Sequence, residues 1–502
     1  MQKKTGRSEF LSLLCFLVAA VLILTNGFVA RVRAQANEVD VYGKLEPIGD
    51  VLDTILTQYY KDPDVDKIVE GALQGMMVSL DKHSSFISAE ALAALQEDTE
   101  GEFDGIGVTI RMDDDGCISV FQPLPDSPAA RAGVRAFDRI LKIDGVSTDG
   151  IDLSEAAKLI RGPRGTSVHL TLQRGYNEKG AEPEIVEVDV KRGKIPLESV
   201  KESRLLEGGI GYIRLYDFKK RTAEELATDI KKLSDEGMTG LVLDLRWNSG
   251  GLLTASKEVC ELFLPKNTLV TYTEGRKKSS GNAEEMKLHT EKPPVLPDNS
   301  PMIVLVNEQT ASSGEIVTGA LQFWARALIV GVNTYGKGSV QTIIPLKNPP
   351  NSALRLTTAL YYTPAQVTIH NQGIKPDVEA PMDLEQQRKL WEQMYASYEK
   401  DPSMVNQQNH GAVTGNAPAE GAVEDVQLQR AVEILREDPL FENLIKKYHK
   451  DPHETQVAAT EEDAKKKEQG LAPGEAIKLP VEEKRSPLLP VPEVVPAPDT
   501  SK

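Results

Sequence analysis

LVLDLRWNSGGLL (241–253) and VLVNEQTASSGEIVTGALQ (304–322) share one plan: a short apolar run, a turn rich in glycine or serine, then helical spacing. GLVLDLR (240–246), MIVLV (302–306) and ALIVGV (327–332) are near-continuous apolar runs, as strands buried on both faces require. TAEELATDIKKLSDEG (222–237) and GEIVTGALQFWARA (314–327) separate them with helical patterns. The region from about 200 to 378 therefore reads as α/β.

The two turns carry the chemistry. Adjacent Gly250 and Gly251 at a strand's end expose backbone N–H groups that can approach a ligand closely, as an oxyanion hole needs. An ordinary Gly-Gly turn fits the same residues. Ser312 falls at a helix N-terminus, where the positive dipole end favours a developing oxyanion. With Glu315 three residues on, it also fits a capping box. Downstream, TYGKGSVQ (334–341) sets Lys337 between two glycines, with Gln341 four residues later. Such a lysine is either solvated or, if buried, lowered in pKa and able to serve a serine as neutral base. The seven histidines are scattered, no HExxH or GxSxG pattern occurs, and no His/Asp/Glu cluster has metal-ligand spacing.

Working outward, residues 103 to about 174 break into short strands with glycine turns (FDGIGVTIRM, GCISVFQPL, ARAGVRAFDRILKIDG and TSVHLTLQR), with the helix-like LSEAAKLIRG before the last. Residues 37–100 show helical spacing at Val51, Leu52, Ile55, Leu56 and Tyr59, then at Ile68, Val69, Leu73, Met76, Met77 and Leu80. Beyond Asp377, VQLQRAVEILRE (426–437) and LFENLIKKYHK read as amphipathic helices after a Gly/Asn/Ala-rich linker. The last 30 residues hold seven prolines and follow the charge-dense EEDAKKKEQG, a composition that reads as a disordered tail.

At the other end, Lys3, Lys4 and Arg7 precede an apolar run from Leu13 to Leu24, and Ala34-Gln35-Ala36 gives a small-x-small site. A run of twelve is short of the ~20 residues of a membrane span, so residues 1–36 read as a cleaved export signal. An uncleaved anchor through residues 10–30 is the alternative.

The 502 residues are 40% hydrophobic and 26% charged, which excludes a polytopic membrane protein. A net charge of −17 with 5% aromatics argues against nucleic-acid binding. Cys15, Cys117 and Cys260 allow at most one bridge, and the absence of CxxC removes thiolate zinc and thioredoxin-type chemistry.

Taken in order, several stretches resemble the carboxy-terminal processing peptidases (tail-specific proteases), serine endopeptidases with a Ser–Lys dyad and a PDZ domain. These are GALQGMMVSLDKHSSFIS (71–88), FDGIGV (103–108), SPAARAGVRAFDRILKIDG (127–145), LVLDLRWNSGG (241–251), VNEQTASSGEI (306–316), TYGKGSVQ (334–341), LTTALYYTP (356–364) and GIKPD (373–377). The resemblance spans about residues 45–380. It implies an α/β multidomain chain: an N-terminal helical segment, a PDZ-like β-rich domain, a protease core of crotonase-like/ClpP-like strand–turn–helix units, and the disordered tail. The expected divisions are 1–36, signal peptide or anchor; 37–100, helical segment; 101–195, PDZ domain; 196–385, serine protease core; 386–450, linker and C-terminal helices; and 451–502, tail.

The resemblance further implies Ser312 as nucleophile, Lys337 as general base and Gln341 as the residue orienting that lysine. The Gly250-Gly251 turn and the Ser313 amide match the oxyanion hole. Gly105, Ile106, Gly107 and Val108 match the loop and strand that take a peptide's free C-terminus by β-augmentation, although Ile106 and Val108 also suit a core. Ser249, Gly314 and Ala365-Gln366-Val367 depart from the family's usual residues. The implied activity is endoproteolysis of exported proteins from their C-terminal side, in the periplasm or cell envelope, with no cofactor and no metal. Its partners are protein substrates, and a membrane tether, a homo-oligomer and an activating adaptor stay open. A catalytically silent PDZ scaffold and a crotonase-like acyl transferase are the competing readings. The Ser312/Lys337 pair speaks against the first, and the PDZ-like segment and missing cofactor motif against the second.

Overall fold

The computed structural model describes residues 40–113, 115–176, 182–277, 283–400 and 423–448. The expected export signal and tail lie outside these. Among the described residues no helix is long and apolar enough to cross a membrane. The chain divides after Phe86 into two units.

In the first unit, helices Val41–Gln58 and Val65–Val78 begin at Asp40 and Asp64, whose carboxylates accept the N–H groups of Gly43 and Lys67, one orphan donor each. The helical periodicity is met, but Val51, Leu56, Val69, Met76 and Leu80 are exposed while Met77 is buried. Spacing predicts a stripe; what covers it is a separate matter.

The second unit opens with helix Ala89–Glu100 and strand Glu102–Gly105, which pairs with Gly193–Pro196. FDGIGVTIRM is therefore not one strand. The chain turns at Gly107 (φ +74°), where a Cβ would lie 2.5 Å from that of Ser127, and resumes as Val108–Met112 in a different sheet. That sheet runs Val108–Met112, Ile118–Pro123, Arg139–Ile143, Ser167–Arg174, Glu184–Lys191. Its alternating residues (Val168, Leu170 and Leu172 along one strand) bury against Ile160 and Ala156 of helix Leu153–Ile160.

The six-stranded sheet runs Val200–Leu206, Ile210–Leu215, Gly240–Asp244, Met302–Val306, Leu328–Gly331, Val378–Glu379, parallel after its first, antiparallel pair. Period-2 alternation assigns its faces. Leu241, Leu243, Met302, Val304, Val306 and Ile329 join one core with helices Thr222–Asp235, Leu253–Glu261 and Ser313–Phe323. Val242, Ile303, Leu305, Leu328 and Val330 join a second core under Val426–Arg436 and Asp438–Tyr448. Each buried aliphatic side chain contributes about 1.5–3 kcal/mol, so both layers are needed to keep the sheet dry. An antiparallel sheet carrying Leu269–Lys277, Ala283–His289, Ser339–Pro345 and Ala353–Tyr362 brings the lysine loop to the parallel strands.

Candidate active site

Strands Gly240–Asp244 and Met302–Val306 are parallel neighbours, so the turns after them meet at one end of the sheet. They are stitched together. The Ala311 N–H donates to the Asn248 carbonyl at 2.9 Å, the Thr310 hydroxyl to the Leu245 carbonyl at 2.8 Å, and the Ser313 hydroxyl to the Gly251 carbonyl at 3.0 Å. Gly250 holds φ +98° against the turn at Ser312: a Cβ there would lie 2.6 Å from that of Ser312 and 3.0 Å from the Ser313 nitrogen. At Gly251 a Cβ would lie 2.1 Å from the Phe218 carbonyl oxygen. Both positions exclude any side chain.

Ser312 occupies φ +54°, ψ −116° at the start of helix Ser313–Phe323. That is not the extended backbone of an ordinary N-cap. A residue outside the usual regions costs of order 1–3 kcal/mol and persists only when its surroundings over-determine it. Glu315 does much of that. Its Oε2 accepts the N–H groups of Ser312 at 2.9 Å and Lys337 at 2.8 Å, and its Oε1 accepts the Thr334 hydroxyl and the Gly336 N–H, each at 2.6 Å. Burial pushes the Glu315 carboxyl above its ordinary value, with these four donors working in the opposite direction.

Lys337 is half-buried between Gly336 and Gly338. Gly338 lies against the backbone of His370, 2.4 Å from its nitrogen by the position of a Cβ. Burial lowers the Lys337 ammonium below the usual lysine value; Arg355 lowers it further and Glu315 opposes the shift. The Tyr361 hydroxyl donates to the Lys337 carbonyl. Burial first, and the Glu315 charge second, push that phenol well above its usual value.

The structure brings the turns of Gly250-Gly251, Ser312 and Lys337 together, with three differences from expectation. Ser312 and Lys337 are joined through backbone and Glu315, and their side chains do not bond each other directly. Gln341, at a bulge of strand Ser339–Pro345, donates to Ser339 Oγ at 2.9 Å and Thr357 Oγ1 at 3.3 Å, not to Lys337. Of the amides expected at an oxyanion hole, that of Gly250 donates to Asn248 Oδ1 at 2.9 Å. In the PDZ-like segment, Gly105, Ile106 and Gly107 are buried and Val108 is half-buried. Ile106 belongs to the core, and its carbonyl accepts the Ala129 N–H at 2.9 Å. Tyr361 and Asn248 were not singled out by sequence, and Glu315 only as a cap.

The chain matches peptidase family S41 over residues 209–380 and the PDZ domain family over residues 120–174. It is 39% identical over 427 residues, 84% of its length and 94% of the relative's, to a carboxy-terminal-processing protease of Bartonella bacilliformis. It is 34% identical over 381 residues, 76% of its length and 78% of the relative's, to the carboxy-terminal processing protease CtpA of Bacillus subtilis. Among solved structures, a photosystem II D1 C-terminal processing protease shares 29% identity, covering 66% of this chain and 88% of that one at a TM-score of 0.36. This chain belongs to the carboxy-terminal processing proteases, serine-type peptidases of family S41 that act on protein substrates.

Proposed function

We propose that the chain cleaves peptide bonds with Ser312 as nucleophile and Lys337 as its base. The observation that carries this is the single Glu315 oxygen taking both residues' amides at 2.9 and 2.8 Å, which fixes one backbone against the other. Neutral Lys337 removes the Ser312 hydroxyl proton as Oγ bonds to the peptide carbonyl carbon. The oxyanion is met by amides of the Gly250-Gly251 turn and of Ser313; Gly250 N–H must leave Asn248 to take part. The C–N bond then breaks and Lys337 returns its proton to the amine. Water, deprotonated by Lys337, hydrolyses the acyl-enzyme and frees a new carboxylate. Gln341 orients the lysine once substrate reorders the site.

The segment containing Gly105, Ile106, Gly107 and Val108 takes substrate C-termini by β-augmentation. The apolar N-terminal run supports export of the protein, with exported proteins in the cell envelope as substrates.

The test is peptide cleavage and labelling by a fluorophosphonate probe with wild type, Ser312→Ala and Lys337→Ala. Both variants should be folded and inactive, each losing about as much as the double variant, because members of a catalytic unit are not additive. Near wild-type turnover in Lys337→Ala overturns the dyad. A wild type that binds peptide tails but neither cleaves nor labels favours the scaffold reading.

A further inference from the structure

Arg246, four residues before Gly250, is fully buried and held from two directions. Asp244, two residues earlier in the chain, bonds Nη2 at 2.7 Å. The opposite side is taken by the C-terminal helix Val426–Arg436. Asp425 grips the guanidinium bidentately, Oδ2 to Nη2 at 2.7 Å and Oδ1 to Nη1 at 2.8 Å, and Gln427 Oε1 meets Nη1 at 3.1 Å. Asp425 also caps its helix by accepting the Leu428 N–H at 3.0 Å, and Gln427 donates to the Ala380 carbonyl at 2.8 Å.

Immediately after Arg246 the chain enters the glycine turn. Trp247 holds φ +57°, with its N–H on Asn307 Oδ1 at 2.9 Å. Asn248 receives the Ala311 N–H at 2.9 Å through its carbonyl and the Gly250 N–H at 2.9 Å through its side chain. Asp425 is therefore linked, through Arg246 and then Asn248, to the residue just before Ser312 and to the proposed oxyanion turn. Without Asp425 the buried guanidinium keeps Asp244 but loses two charge-assisted hydrogen bonds and its tie to the helix, which leaves residues 246–250 less firmly fixed.

We propose that Asp425 is a positioning residue for catalysis, its helix forming part of the active-site scaffold although it lies beyond the residues matched by the peptidase family. This rests on the Ser312/Lys337 reading above. The helix sets the geometry of the oxyanion turn through one buried ion pair. A shift of the turn by about 1 Å costs on the order of 100-fold in rate.

The experiment uses the full chain and one peptide substrate, with wild type, Asp425→Ser, Asp425→Glu, Arg430→Ala and Ser312→Ala. Serine keeps the helix cap but removes the ion pair. Asp425→Ser should lower kcat about 10- to 100-fold with KM nearly unchanged, and slow fluorophosphonate acylation equally, at a temperature where circular dichroism shows it folded. Asp425→Glu should recover part of the rate. Arg430→Ala, on the same helix with its side chain paired to Glu433 and away from Arg246, should match wild type. A folded Asp425→Ser with wild-type kcat overturns the proposal. Should Asp425→Ser fail to fold, Asp425→Asn takes its place, keeping the helix cap and one acceptor for the guanidinium while removing the charge, and wild-type kcat in that folded variant overturns the proposal equally. The Ser312→Ala control keeps the two readings apart: equal cleavage by wild type and Ser312→Ala overturns the Ser312 reading, and Asp425→Ser alone tests this one.

Discussion

The backbone amides of Ser312 and Lys337, distant in sequence, donate to one oxygen, Oε2 of Glu315, at 2.9 and 2.8 Å. The arrangement ties the start of helix Ser313–Phe323 to the loop before strand Ser339–Pro345 without using either reactive side chain. It also turns a cap into a long-range strut. The Glu315 carboxylate sits under four donors, so any protonation that removes its charge weakens all four contacts together.

Activity should rise with pH along one basic limb. The neutral amine is the working form, and burial first, then Arg355, lower the Lys337 pKa. Replacing Arg355 with Gln removes a neighbouring positive charge, stabilises the ammonium, and should move the limb of kcat/KM to higher pH; His370→Ala should leave it in place. A flat profile, or a limb displaced toward acid in Arg355→Gln, contradicts Lys337 as base.

Gly250→Ala should lose activity out of proportion to stability. Its Cβ would press on Ser312 at 2.6 Å and on the Ala311 carbonyl oxygen at 2.9 Å, displacing the proposed nucleophile and oxyanion donors together, at a cost of about 100-fold or more in kcat. Gly237→Ala is the control. It has a similar φ of +95° with open space around it, so strain of about 1 kcal/mol should appear in thermal unfolding with turnover intact. Equal kcat losses in the two variants would sink the argument.

Substrates ending in a free carboxylate should be cut faster than the same peptides amidated, and deleting residues 103–193 should abolish the difference. The measurement is a paired kcat/KM on free and amidated peptides. Equal values for the intact protein remove the claim that the segment around Gly107 reads C-termini.

The strands were legible because burial on both faces leaves no alternation to misread; Ser312 and Lys337, proposed above as the dyad, stood out because their motifs recur in order. Glu315 was legible only by half. A Ser-x-x-Glu pattern speaks of neighbours three residues apart, whereas Thr334, Gly336 and Lys337 reach it only after the chain folds back. Tyr361 is merely one of two tyrosines in a strand until its hydroxyl is found on the Lys337 carbonyl. The glycine loop in FDGIGVTIRM was legible, but not that the residues before it pair with Gly193–Pro196 in a sheet separate from the one Val108–Met112 joins. VQLQRAVEILRE showed its amphipathic face, but nothing local says that Asp425, just before it, reaches Arg246.

The lysine loop is anchored on every side. Lys337 N–H is on Glu315, its carbonyl takes the Tyr361 hydroxyl, the Gly338 carbonyl takes the Tyr361 N–H at 2.9 Å, and the Gly336 carbonyl takes the Asn371 N–H at 2.8 Å. Such a backbone has nowhere to swing. If Lys337 is the base, as proposed, its engagement with Ser312 is then a matter of torsions along four methylene groups, a rotamer exchange instead of a loop rearrangement, with the speed and low barrier that implies. Anything that alters the room around that stem acts as a throttle on the enzyme.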